Sequence, residues 1–286
     1  MEFEAPHIHA PTGSHTHTAI LLHGRGSDGP EFAEELFPSM TSKNKNLPDC
    51  LPNWRWVFPT SRDRWTTAFQ EEMCSWFDAY SLTDITHRQD LQVEGLRESV
   101  AHIQDILESE IRLLDGEASH VYLGGISQGM ATALWTVLCA HGRIDQALGG
   151  ILGFCGWLPF ANGADDIIQS FEEANTEIDA LDKSQLQRQI SSFFRRTIQE
   201  AELQHADAHG KTILPIFTTP VLLGHGTDDV WVPVELGQQA VRILRKIMAH
   251  VEWREYSGAE GEGHWIKEPE GFDYIIEFLE CRSNVA

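Results

Sequence analysis

The sequence predicts an α/β fold in which a mostly parallel central sheet carries helices on both faces. Short apolar runs typical of buried strands recur along the chain. Between them lie longer segments whose apolar residues recur every three or four positions, as in amphipathic helices. Strands that alternate with helices pair in parallel through crossover connections. At 286 residues the chain can bury a sizeable core, so we predict that residues 1–286 form a single domain.

The first half of the chain is predicted to contain three strands and two helices. The strands are residues 18–22, 54–58 and 121–123, which are rich in apolar and β-prone side chains. A short helix over residues 31–40 follows the first strand. A longer helix precedes the third strand, because six apolar residues recur at helical spacing: Leu96, Val100, Ile103, Leu107, Ile111 and Leu114.

The second half of the chain repeats this alternation. An alanine- and leucine-rich segment at 131–139 is predicted to be a buried helix. The later elements are strands at 147–154, 220–224 and 251–256 and helices at 236–247 and 269–280.

Residues 164–209 differ from the rest of the chain, because they are polar and helical over a long stretch. We predict a helical insertion with two apolar stripes. Its helices either cap the active site or form a lateral layer. The cap is favoured, since the segment leaves the sheet at the carboxyl end of a strand, where α/β proteins bind ligands.

Charge and hydropathy exclude several classes of partner. The chain has 43 acidic and 21 basic residues, giving a net charge of -22, which repels nucleic acids and anionic lipid surfaces. No run approaches the roughly 18 apolar residues of a membrane span, and the amino terminus does not resemble a secretory signal. We therefore expect a soluble, cytoplasmic protein without integral membrane association.

The cysteines and the amino-terminal histidines do not form a recognisable metal motif. The five cysteines are scattered, without a CxxC pair, and are interpreted as reduced thiols: Cys50, Cys74, Cys139, Cys155 and Cys281. Four histidines alternate in pairs: His7, His9, His15 and His17. A polar arm leading into a strand explains them more simply than a metal site, and we expect no bound metal.

The candidate nucleophile is Ser127, in the sequence Gly-Ile-Ser-Gln-Gly at 125–129. This sequence has the form G-x-S-x-G and lies between a predicted strand and a predicted helix. In that context the flanking glycines relieve crowding at a strained turn that presents the serine hydroxyl above the sheet.

A serine hydroxyl needs a general base, and the base needs an orienting carboxylate. On this architecture the acid follows the serine along the chain, and the histidine follows the acid. Asp228 and Asp229 lie just after a predicted strand, and only His250 and His264 come later. His250 ends a helical run, whereas His264 lies in a glycine-rich loop, so His264 is the predicted base.

A glycine-rich loop at residues 23–29 follows the first strand. Its three glycines formally match G-x-G-x-x-G, a dinucleotide-binding pattern, but Pro30 follows and the acidic residue at the expected distance, Asp49, is not at a strand end. The alternative is a loop that donates one backbone N–H of an oxyanion hole.

Five ordered motifs resemble the phospholipase/carboxylesterase family of α/β-hydrolases, which includes acyl-protein thioesterases. They are His-Gly-Arg-Gly at 23–26, Ser-Trp-Phe-Asp at 75–78, Gly-Ile-Ser-Gln-Gly at 125–129, His-Gly-Thr-Asp-Asp at 225–229 with Val-Pro at 232–233, and Gly-His at 263–264. The resemblance covers most of the chain apart from the insertion.

The resemblance implies the α/β-hydrolase fold and a serine esterase or thioesterase that works without a metal or organic cofactor. It assigns the acid to Asp229 and the oxyanion hole to the backbone N–H groups of Arg25 and Gln128. Its implied substrates are small-molecule or lipid esters and thioesters, and acylated proteins. The insertion is longer than is usual in the family, which weakens the expectation of an acylated protein substrate.

Three aromatic residues, Trp76, Phe77 and Trp157, are candidates for the wall of a substrate cleft. Core packing is an equally good interpretation of the first two. Two other functions are weighed against hydrolysis. The first is a non-catalytic ligand receptor on the same fold, which intact catalytic residues disfavour. The second is a serine peptidase, for which the sequence offers no peptide-binding domain.

Overall fold

A seven-stranded sheet forms the centre of the molecule. The computed structural model describes residues 3–174, 180–199 and 213–283. The strands are β1 (His7–His9), β2 (His17–Leu22), β3 (Trp54–Phe58), β4 (Arg62–Thr66), β5 (Glu71–Ser75), β6 (Val121–Ile126), β7 (Gly150–Phe154), β8 (Val221–Gly226) and β9 (Val251–Tyr256). The sheet order is β1-β3-β2-β6-β7-β8-β9, and β4 pairs with β5 in a separate hairpin. Among the described strands of this sheet, β1 alone runs antiparallel to its neighbour.

Helices cover both faces of this sheet, as predicted. They are α1 (Gly29–Leu36), α2 (Leu47–Cys50), α3 (Gln92–Leu113), α4 (Gln128–Leu138), α5 (Ala161–Ala174), α6 (Ala180–Ile198), α7 (Val234–Ile247) and α8 (Glu270–Ser283). Short 3₁₀ turns lie at Gln89–Leu91, Ala118–His120 and Pro215–Thr218. None of the described helices is long and apolar enough to cross a membrane.

Alternation along the strands divides the core into two layers. In β2, Ile20 and Leu22 pack in the layer that contains α3, α4 and α7, whereas Ala19 and Leu21 pack in the layer that contains α1 and α8. Side chains of a strand point alternately to opposite faces of the sheet. The apolar run at residues 19–22 of β2 therefore reflects burial on both faces, as is typical of parallel strands.

Three local features differ from the sequence expectation. Helix α1 ends at Leu36 instead of continuing to residue 40, because Pro38 has no backbone N–H with which to continue the helical hydrogen bonds. The edge strand β1 and the β4–β5 hairpin were not predicted. Their sequences are short and polar, and the hairpin strands are only partly buried, so they lack the apolar signal of a core strand.

The amino-terminal histidines make different packing contacts. His9 packs edge-on against Phe37, and His17 stacks on Trp54 with ring centroids 4.8 Å apart. The side chain of His15 is hydrogen-bonded to Thr18. These contacts agree with the interpretation of the segment as a polar arm that leads into the sheet.

The described part of the predicted insertion forms a lateral layer, the second of the two arrangements that the sequence left open. Helix α5 packs against α7 and α6, and α6 packs against α3 and α4. The amide of Gln187 donates to the carbonyl oxygen of Ile247 at 2.8 Å. The apolar stripe of α6 thus faces neighbouring helices, which is why its periodicity resembled that of a cap helix. Residues 175–179 and 200–209 of the predicted segment lie outside the described residues.

We expect this lateral layer to be part of the folding core. Phe194 of α6 is fully buried, with its ring edge-on to Trp135 of α4 at 4.7 Å, whereas the neighbouring Phe193 is partly exposed. Phe194→Ala should lower the free energy of unfolding by about 3 to 5 kcal/mol, because a cavity forms beside Trp135. Phe193→Ala should cost less. Urea unfolding followed by circular dichroism gives both values, and equal losses would contradict the packing described.

Candidate active site

Ser127 lies at the turn between β6 and α4, at the carboxyl end of the parallel strands. Its backbone has φ 56° and ψ -123°, a conformation that non-glycine residues rarely adopt and that costs on the order of 1 to 3 kcal/mol. The backbone N–H of Ser127 donates to the carbonyl oxygen of Phe154 on β7 at 2.8 Å. The strained turn is therefore held by the adjacent strand, and Ser127 is less buried than the residues on either side.

Two glycines make this turn possible by allowing close backbone contact with β2. A Cβ atom at Gly129 would lie 2.2 Å from the carbonyl oxygen of Leu22, and one at Gly125 would lie 2.6 Å from the same oxygen. Both distances are far shorter than the closest approach of two nonbonded atoms. The G-x-S-x-G pattern is thus required by the packing of β2 against the turn.

His264 and Asp229 form a hydrogen-bonded pair beside the turn. His264 Nδ1 lies 2.7 Å from Asp229 Oδ2. The Asp229 side chain is fully buried, whereas one fifth of the His264 side chain is exposed. A buried carboxylate that accepts from Nδ1 leaves Nε2 available as a proton acceptor. The predicted acid and base are therefore brought together.

Several donors keep Asp229 ionised. Burial alone would raise the pKa of its carboxyl group, but hydrogen bonds from His225, His264 and the backbone of Val232 outweigh burial and hold that pKa below its ordinary value. Oδ1 accepts from the N–H groups of Trp231 and Val232, each at 2.9 Å. An anionic Asp229 stabilises a protonated His264.

Asp228 and His250, the other candidates for acid and base, make contacts elsewhere. Asp228 accepts a hydrogen bond from the backbone of Gly258 at 2.8 Å, outside the pair. His250 is half exposed and is hydrogen-bonded to Glu252. The geometry thus favours Asp229 over Asp228 as the acid and His264 over His250 as the base.

The loop after β2 places backbone donors next to Ser127. A Cβ atom at Gly24 would lie 3.5 Å from Ser127 Cβ, so the loop and the turn are in contact. The backbone N–H groups of Arg25 and Gln128 have no acceptor among the described residues. Gln128 opens α4, where the first N–H groups lack partners within the helix. Both N–H groups are therefore available to donate a hydrogen bond to a group bound in front of Ser127.

Trp76 and Phe77 do not line the cleft, which corrects that expectation. Both are fully buried. The Gln128 side chain holds their backbone, since its Oε1 accepts from the N–H of Trp76 at 2.8 Å and its Nε2 donates to the carbonyl of Phe77 at 2.6 Å. The Trp76 indole N–H donates to the carbonyl of His23 at 2.9 Å. These two aromatic residues fix the positions of Gln128 and of the oxyanion loop.

A cavity of about 390 Å³ opens at the turn. Trp157 lines it together with Ser127, His264, Gly24, Arg25 and Gln128. Residues that the sequence did not suggest also line it: Ser27, Phe32, Glu35, Phe69, Met73, Leu82, Ile126, Trp231, Val232 and Trp265. Most of these are apolar. No described residue of the insertion contributes.

The sequence did not identify two kinds of residue at the site. Phe69 and Met73 lie on the β4–β5 hairpin, which had no clear strand pattern. His225 contacts the same carboxylate oxygen of Asp229 as His264 does, with Nε2 at 3.3 Å from Oδ2 and 2.9 Å from the carbonyl of Val232. Its position four residues before Asp229, at the end of a predicted strand, is the signal that points to this contact.

His23 is a neutral histidine that fixes the oxyanion loop. Its Nε2 accepts from the backbone N–H of Ser61 at 3.0 Å, so its Nδ1 carries the hydrogen and donates to the carbonyl of Gly24 at 2.6 Å. Burial lowers the pKa of His23 to about 4, although the bond to Gly24 raises it. The loop is thus joined to the start of the hairpin through an uncharged imidazole.

One group of the described residues has ligand atoms close enough to hold a metal ion: Cys155, Asp229 and His264, within 4.8 Å of one another. Burial raises the pKa of the Cys155 thiol to about 12, so a proton must be removed at high cost before the sulfur can bind a metal. Asp229 and His264 already satisfy each other. A hydrogen-bonded acid and base describe this group better than a metal centre does.

Comparison with known proteins identifies the family. The sequence profile of the phospholipase/carboxylesterase family matches residues 3–179, more than half of the chain. This chain belongs to the phospholipase/carboxylesterase family. Acyl-protein thioesterase 1 of Debaryomyces hansenii is 24% identical over 262 residues, covering 91% of this chain and 90% of that protein. Carboxylesterase SOBER1 of Arabidopsis thaliana is 27% identical over 265 residues, covering 92% and 89%.

Solved structures of family members share the fold. The crystal structure of Zea mays acyl-protein thioesterase 2 has a TM-score of 0.65 and 25% identity, covering 97% of this chain and 98% of that one. Arabidopsis thaliana SOBER1 has a TM-score of 0.62 and 25% identity, covering 93% and 99%. The α/β-hydrolase fold and the carboxylesterase-like or acyl-protein thioesterase-like class of hydrolase are confirmed.

The neutral state of His23 predicts a pH dependence of stability. An unfolded chain binds a proton at His23 near pH 6.5, but the folded protein does so only near pH 4. The unfolded state therefore binds more protons between these values. The contribution of His23 to stability is complete above pH 6.5 and is lost as the pH falls towards 4, with a slope of up to about 1.4 kcal/mol per pH unit.

Urea unfolding at a series of pH values across this window measures the slope. His23→Gln should lower the slope of the unfolding free energy against pH by up to about 1.4 kcal/mol per pH unit, the contribution of one proton. His7→Gln, which changes an exposed histidine, is the control and should leave the curve unaltered. Parallel curves for wild type and His23→Gln would show that His23 is not held neutral.

Proposed function

We propose that this chain cleaves carboxylic esters or acyl thioesters through an acyl-enzyme formed on Ser127. The observation that carries the proposal is the 2.7 Å contact between His264 and buried Asp229 beside the cavity that Ser127 and His264 both line. A nucleophile on a strained turn, a base with an oriented tautomer and unpartnered backbone N–H groups are the parts that acyl transfer requires.

In the first step of the proposed mechanism, His264 Nε2 removes the proton of Ser127 Oγ, which attacks the acyl carbon. The negative charge that develops on the carbonyl oxygen is stabilised by the N–H groups of Arg25 and Gln128. Asp229 holds the tautomer of His264 and stabilises its cation. The C–O or C–S bond then breaks, and His264 gives its proton to the leaving alcohol or thiol.

In the second step, water takes the place of the alcohol or thiol. His264 removes a proton from water, and the resulting hydroxide attacks the acyl carbon of the ester on Ser127. The same N–H groups bind the second oxyanion. When the bond to Oγ breaks, His264 returns the proton to Ser127 and the carboxylic acid leaves.

The cavity favours a substrate with an apolar portion. Trp157, Met73 and Leu82 line it, and exposed Phe69 and Trp231 border it. Since the described helices of the insertion lie to the side, they do not obstruct a large substrate. Small esters, lipid esters and acylated proteins are therefore all within the proposal, in agreement with the names of the relatives.

The role of Ser127 is tested by reaction with a fluorophosphonate probe and by hydrolysis of a short nitrophenyl ester. Wild type should be labelled and active. Ser127→Ala should lose labelling and lose up to about 10⁶ in kcat, as expected when the nucleophile of a serine hydrolase is removed. Undiminished ester turnover by Ser127→Ala would refute the mechanism, and tight ester binding without turnover in wild type would indicate a receptor.

Two adjacent aspartates provide a matched test of the acid. Asp229→Asn should lower kcat by about 10⁴, because an amide favours the wrong tautomer of the base. Asp228→Asn removes the same charge one residue away and should retain most of the activity, since Asp228 contacts Gly258 outside the pair. Steady-state kinetics with one ester separates the two variants. Equal losses would contradict the assignment of Asp229.

A further inference from the structure

The side chain of Arg25 is a positive charge inside the proposed catalytic cavity. Arg25 and Phe69 line the cavity together with Ser127. The guanidinium carbon of Arg25 lies 4.4 Å from the centroid of the Phe69 ring, a cation–π geometry that restricts the side chain. The backbone of the same loop is held as well, because the N–H of Gly26 donates to the carbonyl of Cys74 at 2.8 Å.

This guanidinium has no ion pair or hydrogen bond among the described residues. The carboxylate that influences it most is Asp78, which is occupied by hydrogen bonds from the backbone and hydroxyl groups of Thr67. Other arginines do have carboxylate partners: Arg55 with Glu110, Arg62 and Arg64 with Glu98, Arg143 with Asp105 and Glu108, and Arg254 with Glu252. Arg25 lines the cavity without such a partner among the described residues.

The surroundings of Arg25 make an added anion favourable. The Arg25 side chain is partly buried, and this burial lowers the pKa of its guanidinium. A partly buried charge is stabilised more strongly by a nearby opposite charge than a charge in solvent is. Glu35 also lines the cavity but makes no ion pair with Arg25.

We propose that Arg25 binds a carboxylate of the substrate, so that the cavity selects esters or thioesters with an apolar portion and one anionic group. This inference rests on the proposed function, because Ser127 must cleave the ester that Arg25 binds. The backbone of Arg25 contributes to the oxyanion hole, so its guanidinium reaches only one side-chain length from the scissile carbonyl. The carboxylate is therefore a few atoms from the acyl carbon, in either the acyl group or the leaving group.

Two matched pairs of esters test the two positions. Nitrophenyl hydrogen adipate and nitrophenyl hexanoate differ only in a terminal carboxylate or methyl group on the acyl chain. Carboxyphenyl butyrate and carbamoylphenyl butyrate differ in the same charge on the leaving group. The quantity measured is the ratio of kcat/KM for the anionic ester to that for its neutral partner. Both members of a pair use the same oxyanion hole, so changes there cancel in the ratio.

Arg25→Met should lower this ratio about ten- to a hundredfold for at least one pair, because a charged hydrogen bond is lost. Arg25→Lys should retain most of the preference. Arg254→Met is the matched control, since Arg254 lies over Tyr274 outside the cavity, and it should leave both ratios at the wild-type value. High salt should lower the wild-type preference but not that of Arg25→Met.

The outcomes distinguish the proposed role of Arg25 from the proposed function of the site. If both ratios are the same in wild type and Arg25→Met while Ser127 still cleaves the neutral esters, the role of Arg25 is wrong and the proposed function stands. If wild type cleaves none of the four esters, the proposed function itself fails. If Arg25→Met fails to fold, Phe69→Leu removes the ring that orients the guanidinium and should lower the same ratio.

Discussion

The carbonyl oxygen of Leu22 comes so close to the turn after β6 that two positions of the turn have no room for a side chain. A Cβ atom would lie 2.2 Å from this oxygen at Gly129 and 2.6 Å from it at Gly125. Because β2 ends at Leu22, the loop that follows it begins beside Ser127. One close backbone contact therefore determines both the strained conformation of Ser127 and the place of the loop that carries Arg25.

The rest of the site is held by side chains that touch no substrate in the proposed mechanism. Gln128 binds the backbone of Trp76 and Phe77, and Trp76 in turn binds the carbonyl of His23. On the other side of Ser127, His225 and the backbone of Val232 keep Asp229 anionic. Groups fixed in this way do not need to reorganise when charge develops, which is the main requirement of electrostatic stabilisation.

The sheet, most of the helices and the choice of His264 could be predicted from local patterns and chain order, whereas the choice of Asp229 over Asp228 came from the family resemblance. Apolar strands and glycine-flanked turns leave signals that do not require knowledge of distant contacts. The lateral position of α6 could not be predicted, since an apolar stripe such as that of Phe194 is the same whether it faces a cavity or a neighbouring helix. The burial of Trp76 depends on hydrogen bonds to residues about 50 positions away, which sequence spacing does not reveal.

The covalent intermediate on Ser127 is the central claim, and rapid-quench mass spectrometry of the intact protein tests it most directly. Wild type mixed with a nitrophenyl ester should gain the mass of one acyl group within the first turnover, and digestion should place that mass on the peptide containing Ser127. Asp229→Asn should carry the same adduct but form it more slowly. Release of nitrophenol with no acylated protein at any time, or an adduct located on another residue, would contradict the account.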